Sequence, residues 1–104
     1  MGKNSVLKTL GKRIGNIVLH KMLAKYTNKP ESLGHLINEE NEYRAVAIIE
    51  ARKFNWDGSD KEELKITAIE FFRNKSTKKY PDVKFPLKEA EALINEEIKY
   101  LILR

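Results

Sequence analysis

Residues 30–54 read PESLGHLINEENEYRAVAIIEARKF, and the pattern of this stretch predicts one long helix. Its apolar residues recur about every 3.6 positions, the spacing that places side chains on one face of an α-helix. Pro30 suits the first turn, because a backbone N–H at that position has no intrahelical partner to lose. The apolar face consists of Leu33, Leu36, Ile37, Tyr43, Ala47, Ile48, Ala51 and Phe54.

The middle of this predicted helix is apolar nearly all round. Val46 and Ile49 lie off the main apolar face, so both sides of the helix carry hydrophobic side chains. A helix of this kind is usually central and covered by several neighbours. We therefore expect residues 39–54 to be the most buried segment of the chain.

Glu40 and Arg44 are the unusual residues of the apolar face. They stand four positions apart, which permits a mutual ion pair on a continuous helix, and we interpret them as a structural or recognition pair. The alternative is a helix stop at Gly34 and a new helix start at Asn38. Two helices, over 30–37 and 39–54, would then turn Glu40 into solvent.

Three further helices are predicted around this one. The first runs from Ser5 to Tyr26, the next begins at a Ser59–Glu62 capping box and fades over 74–77, and the last runs from Pro86 almost to Arg104. The fold class is all-α, a compact four-helix bundle or an orthogonal helical array in a single helical domain over 1–104. The alternative is an α+β fold with a hairpin across Asp57-Gly58. The expected core is Ala47, Ile48, Ala51, Leu64, Ala68, Phe72, Ile94, Ile98 and Leu101.

Three residues predict particular packing. Gly11 and Gly15 lie one helical turn apart, an arrangement that lets another helix approach the backbone closely. Trp56, the single tryptophan, lies at a helix–turn junction, and we expect it to cover one end of the core with its N–H bonded to a carbonyl of the turn.

Composition limits the class of protein. The 104 residues contain no cysteine, which excludes disulfides and cysteine-based metal or redox sites. Hydrophobic residues make up 41% and charged residues 34%, a balance typical of a folded protein with a strongly charged surface. No apolar run approaches the length of a bilayer span, and no signal-peptide pattern is present. We expect a cytoplasmic protein with no membrane partner.

Positive charge is unevenly distributed along the chain. The net charge is +5, yet residues 1–29 contain seven basic residues and no acidic one. A second basic cluster spans 73–84, and acidic residues concentrate elsewhere, in 31–42 and 89–97. Clustered positive charge on a folded domain is typical of a protein that binds a polyanion. The alternative is that basic and acidic helices neutralise each other inside the fold.

The leading functional hypothesis is a small non-enzymatic nucleic-acid-binding protein that contacts the phosphates of DNA or RNA through its basic clusters. Tyr80 and Phe85, which stand among lysines, either stack on the bases of a single strand or anchor their loop to the core. The predicted nucleic-acid-binding residues are Lys8, Lys12, Arg13, Lys75, Lys78, Lys79, Tyr80, Lys84 and Phe85.

Motifs for catalysis or a cofactor are not found in the sequence. There is no phosphate-binding glycine loop, no nucleophile elbow and no zinc-protease motif around His20 or His35. The pairs Glu39–Glu42, Asp57–Asp60 and Glu31–His35 have spacings that metal ligands use, but each pair is too small a ligand set. A metal-dependent nucleotide hydrolase is thus a remote alternative, and we expect no enzyme activity, metal or cofactor.

The second functional hypothesis is a helical protein–protein interaction module, in its simplest form a homodimer. The segment 100–103 is apolar on every side, so it either docks in the core of its own chain or meets another chain. A basic first helix and an acidic last helix also allow two protomers to complement each other's charge.

Overall fold

The structure is a computed structural model that describes residues 2–26 and 33–102. These ranges contain four helices and no strand, which confirms the all-α prediction: α1 is Lys3–Tyr26, α2 Leu33–Ala51, α3 Gly58–Lys79 and α4 Leu87–Ile102. The alternative hairpin is wrong, because Gly58 begins a helix where the hairpin would turn. None of the helices in the described ranges combines the length and the apolarity that a bilayer crossing requires.

Contacts between side chains fix the directions of the helices. Lys3 contacts Asp60 near the starts of α1 and α3, and Asn16 contacts Lys75 further along both, so these two helices are parallel. The helices α2 and α4 run in the opposite direction. The pairs that show this are Lys3–Asp60, Arg13–Glu50, His20–Glu39, Lys21–Glu97 and Lys25–Glu89. Buried side chains from all four helices form one hydrophobic core.

The central helix is α1, and the prediction that residues 39–54 are the most buried segment is wrong. Every residue of α1 from Ile14 to His20 is buried, because α2, α3 and α4 all pack against this helix. Of the described side chains in α2, Ala47 and Ala51 are the buried ones. Val46 and Ile49, which suggested a covered helix, are 40% and 62% exposed because α2 lies at the periphery.

The predicted core is otherwise confirmed. Ile48 is half-buried, so the large loss of stability that full burial would give to Ile48→Ala does not apply. The predicted core residues that are buried are Ala47, Ala51, Leu64, Ala68, Phe72, Ile94, Ile98 and Leu101.

The helix α2 is continuous through Asn38, so the alternative of two helices in this segment is wrong. The predicted start at Pro30 lies outside the described residues, and the helix ends at Ala51, before Phe54.

The capping box of α3 is formed by Asp57 and Asp60, and the predicted pair Ser59–Glu62 is wrong. Asp57 has an extended backbone and accepts a hydrogen bond from the Asp60 amide at 2.8 Å, while its own amide donates to the Asp60 carboxylate at 3.1 Å. This earlier cap starts the helix at Gly58. The helix continues to Lys79, beyond the predicted fading at 74–77.

The packing expected of Gly11 and Gly15 is confirmed. A Cβ atom on Gly11 would lie 2.7 Å from the Cβ of Thr67, and one on Gly15 would lie 2.6 Å from the backbone oxygen of Ala68. Both distances are shorter than van der Waals contact. The two glycines therefore let α3 approach the backbone of α1.

Trp56 covers one end of the core, as expected, but its N–H bonds to the last residue of α2 instead of a carbonyl of the turn. Its ring is half-buried against the core, and its Nε1–H donates to the backbone oxygen of Ala51 at 2.7 Å. That carbonyl belongs to the last residue of α2, where helical partners are missing. The Trp56 side chain thus satisfies a carbonyl group at the C-terminal end of α2.

Candidate nucleic-acid interface

Lys8 and Lys12 lie on the exposed side of the first half of α1. The opposite side of the same half is buried through Leu7, Leu10 and Ile14, so the two lysines face solvent. They stand one helical turn apart and therefore share a face. One turn further along, the same side of α1 reaches Asn16, which is buried.

The contact between α1 and α3 adds lysines from the second basic cluster to this face. Lys75 Nζ lies 3.4 Å from Asn16 Oδ1, and Lys79 lies one turn beyond Lys75 on α3. Burial lowers the pKa of Lys75, and the positive charge of Lys79 lowers it further, whereas the charge of Glu39 raises it. We call Lys8, Lys12, Lys75, Lys78 and Lys79 the lysine row.

The lysine row has no acidic partners in the part of the chain that the structure describes. None of its ammonium groups has a carboxylate oxygen within 4.0 Å, and the same holds for Lys84. Two acids of α4 contact other cations: Glu89 lies 2.7 Å from Lys25, and Glu97 lies 3.0 Å from Lys21. These acidic side chains of α4 thus neutralise Lys21 and Lys25, and not the lysine row.

Arg13 differs from the lysine row, although the sequence groups them together. Its Nε donates to the Glu50 carboxylate at 2.5 Å and so joins α1 to α2. The positive charge of Arg13 is therefore partly neutralised inside the fold. Its role in the structure is to hold the two helices together.

Tyr80 and Phe85 pack against the core from the loop between α3 and α4. The Phe85 ring meets the ring of Phe72 edge to face, with 5.7 Å between centroids, and that of Tyr26 at 6.5 Å. These contacts match the interpretation that the aromatic residues anchor the loop. Lys84 is exposed on this loop. Together with Arg73, Ser76 and Thr77, the two aromatic residues line an open cleft of about 320 Å³.

Glu40 and Arg44 belong to a cluster of four charged side chains between α1, α2 and α4. Arg44 Nη2 lies 2.8 Å from Glu40 and 2.5 Å from Glu97, and Lys21 completes the cluster through Glu97. Glu97 is only 4% exposed. Burial alone would raise its pKa, but hydrogen bonds from Arg44 and Lys21 lower it below the usual value. The cluster carries two charges of each sign and is balanced.

A second polar cluster, around His20, was not found by sequence reasoning. The buried ring of His20 lies between two acceptors, 2.8 Å from the Asn16 carbonyl oxygen through Nδ1 and 2.6 Å from Glu39 through Nε2. His35 also lies 2.6 Å from Glu39. The hydrogen bond from His20 lowers the pKa of Glu39. The i, i+4 spacing of His35 and Glu39 was the available signal, but nothing local predicts His20 as their partner.

The acidic pairs with metal-ligand spacing have other contacts in the structure. Glu39 contacts both histidines, Glu42 is exposed to solvent, and Asp57 and Asp60 form the cap of α3. Within the described ranges, no group of three or more histidine and acidic side chains is placed to hold a metal ion. Glu31 lies outside the described residues.

Comparison of the chain with protein-family models, with curated proteins and with solved structures finds no match. The function must therefore be argued from the side chains themselves. The lysine row is the surface with the clearest chemical character.

Proposed function

We propose that this protein is a small non-enzymatic nucleic-acid-binding protein that contacts phosphates through the lysine row. The supporting observation is that lysines from two distant parts of the sequence lie on neighbouring helices, where Lys75 contacts Asn16, and have no carboxylate partners among the described residues. An unneutralised row of this kind attracts a polyanion. Lysine recognises phosphate as a point charge, so the surface does not read base edges.

Duplex nucleic acid fits this surface better than a single strand does. Binding to a single strand usually needs exposed aromatic side chains on which the bases stack. The rings of Tyr80 and Phe85 are instead packed against the core, and the Phe71 ring lies beneath Lys75, 5.2 Å from its Nζ. The lysine row thus offers charge without a stacking surface.

A titration series tests the proposal. The full chain is titrated with duplex DNA, duplex RNA and a single strand, each at two salt concentrations. We expect sequence-tolerant binding to a duplex, with the logarithm of the binding constant falling by about 0.9 per phosphate contact for each unit of log salt concentration. Five contacts from the lysine row would give a slope of roughly −4 to −5.

Matched charge-reversal variants locate the surface. Lys8→Glu with Lys12→Glu, and Lys78→Glu with Lys79→Glu, should each weaken binding and reduce the salt slope by about 2. The control is Lys88→Glu with Lys99→Glu, which makes the same change in net charge at two exposed positions of α4. Equal losses in all three variants would mean that net charge alone is responsible. Failure to bind any of the three nucleic acids at low salt would reject the proposal.

A further inference from the structure

The outer face of α2 exposes apolar side chains that no other part of the described chain covers. Ile49 is 62% exposed and Val46 40%, and Ala45 beside them is also exposed. Contiguous apolar surface on a peripheral helix is typical of a binding site for another protein.

The charges at the two ends of this face have opposite signs. Glu42 is exposed on the N-terminal side of the apolar residues, and Arg52 and Lys53 are exposed just past the C-terminal end. Arg52 still follows the helical course, because its amide donates to the Ile48 carbonyl at 3.2 Å. None of these three charges has an oppositely charged group within 4.0 Å among the described residues.

We propose that a second copy of this chain packs on the outer face of α2, with the two α2 helices antiparallel across a two-fold axis. The two-fold axis duplicates every contact in such an interface: if one residue contacts a second residue of the other copy, the reverse contact also forms. The register that sets Ala45 opposite Ile49 of the second copy also sets Glu42 opposite Arg52. A small side chain then meets a large one in the centre, and each end carries an ion pair.

The opposite charges at the two ends of the outer face of α2 favour a second copy of the chain as the binding partner. A face with acid at one end and base at the other is complementary to itself when reversed, whereas a parallel arrangement would bring like charges together. The contact of one helix with one helix falls at the small end of protein interfaces, below about 1,200 Å², so we expect a reversible dimer of micromolar affinity. No lysine of the lysine row lies on α2, so the dimer leaves that surface open.

Sedimentation equilibrium of the full chain without nucleic acid tests this proposal separately from the proposed function. Wild type should show a monomer–dimer equilibrium, and Ile49→Glu should weaken dimerisation by about tenfold or more. The matched control is Ile66→Glu, at an isoleucine of α3 that is 44% exposed, and it should leave the dimer unchanged. Circular dichroism verifies that each variant is folded.

A charge exchange tests the register. Glu42→Arg alone and Arg52→Glu alone should each weaken the dimer, because like charges then face each other across the axis. The double variant with both changes restores opposite charges and should recover most of the affinity, with the dependence on salt that an ion pair has. The proposal is overturned by a wild-type chain that stays monomeric at about 1 mM, the millimolar end of measurable affinity. It is equally overturned by equal effects of Ile49→Glu and Ile66→Glu, or by a double variant that does not recover. A monomer would assign the α2 face to a different protein.

Discussion

The helices α1 and α2 differ in burial, and the difference is the reverse of what their apolar content suggests. The second half of α1 contains Asn16, His20 and Lys21, yet it is enclosed by the other helices. The middle of α2 is nearly all apolar, yet it presents Val46 and Ile49 to solvent. Apolar content therefore does not rank these two helices by burial.

The two helices differ in burial because α1 has interaction partners on the neighbouring helices, whereas the outer face of α2 has none among the described helices. Each of these three polar side chains of α1 is matched by a group on a neighbouring helix: Asn16 by Lys75, His20 by Glu39, and Lys21 by Glu97. Polar groups can be buried when their hydrogen bonds are satisfied. Within the described ranges, every buried side-chain nitrogen and oxygen has a partner. The outer face of α2 has no neighbouring helix, and its apolar side chains stay exposed.

The largest expected effect concerns the two faces of α2. Arg44→Met should lower the free energy of unfolding by about 3–5 kcal/mol, because it leaves the buried carboxylate of Glu97 with Lys21 as its remaining cation. Arg52→Met, on the outer face, should change it by less than about 0.5 kcal/mol. Urea unfolding of both variants measures the difference.

A second variant shows whether an unpaired charge causes this loss. Arg44→Met combined with Glu97→Met removes both partners and should recover part of the stability. A cost of Arg44→Met as small as that of Arg52→Met would contradict the role of the charged cluster.

Isoleucine truncation compares α1 with α2 directly. Ile14→Ala should cost about 2–5 kcal/mol, because Ile14 is fully buried and the change leaves a cavity. Ile49→Ala should cost less than about 0.5 kcal/mol in dilute solution, where the chain is monomeric. Thermal unfolding followed by circular dichroism reports both values, and similar losses would show that α2 is covered in solution.

Glycine substitution gives a smaller contrast of opposite sign. Gly15→Ala should destabilise the protein by about 1–3 kcal/mol, because the new methyl group would meet the backbone of α3. Gly34→Ala, at an exposed position of α2 with no atom near its Cβ, should stabilise it by up to about 1 kcal/mol. Denaturant midpoints suffice for the comparison, and a stabilised Gly15→Ala would show that the close approach of α3 to α1 is absent.

Local signals in the sequence predicted the helices well. The apolar face of α2, the helix–turn junction at Trp56 and the proline at 86 located the elements, and the glycine pair in α1 predicted the close approach of another helix. Each of these signals involves only a few neighbouring residues, so backbone propensity and apolar periodicity are sufficient to detect it. The capping box of α3 was misplaced because Asp57 and Ser59 are both good capping residues, and their sequence does not rank them.

The relative arrangement of the helices was beyond the sequence. The central position of α1 was not predicted, because Lys21 and Lys25 pair with Glu97 and Glu89 of α4, which lie far away in the sequence. The meeting of Lys75 with Asn16 likewise depends on how α3 packs against α1. Periodicity describes one helix at a time, so contacts across more than fifty residues leave no trace in it.

The central position of α1 has a consequence for synthesis of the chain. The ribosome completes α1 before any of the helices that cover it, and its closest neighbour, α3, ends only at Lys79. A nascent chain that stops at residue 57 therefore lacks α3 and α4, and the apolar side chains of α1 that they cover stay exposed, a state prone to aggregation. Contacts so distant in sequence also slow the search for the native state. This small helical protein should consequently fold after most of its chain has left the ribosome, rather than helix by helix.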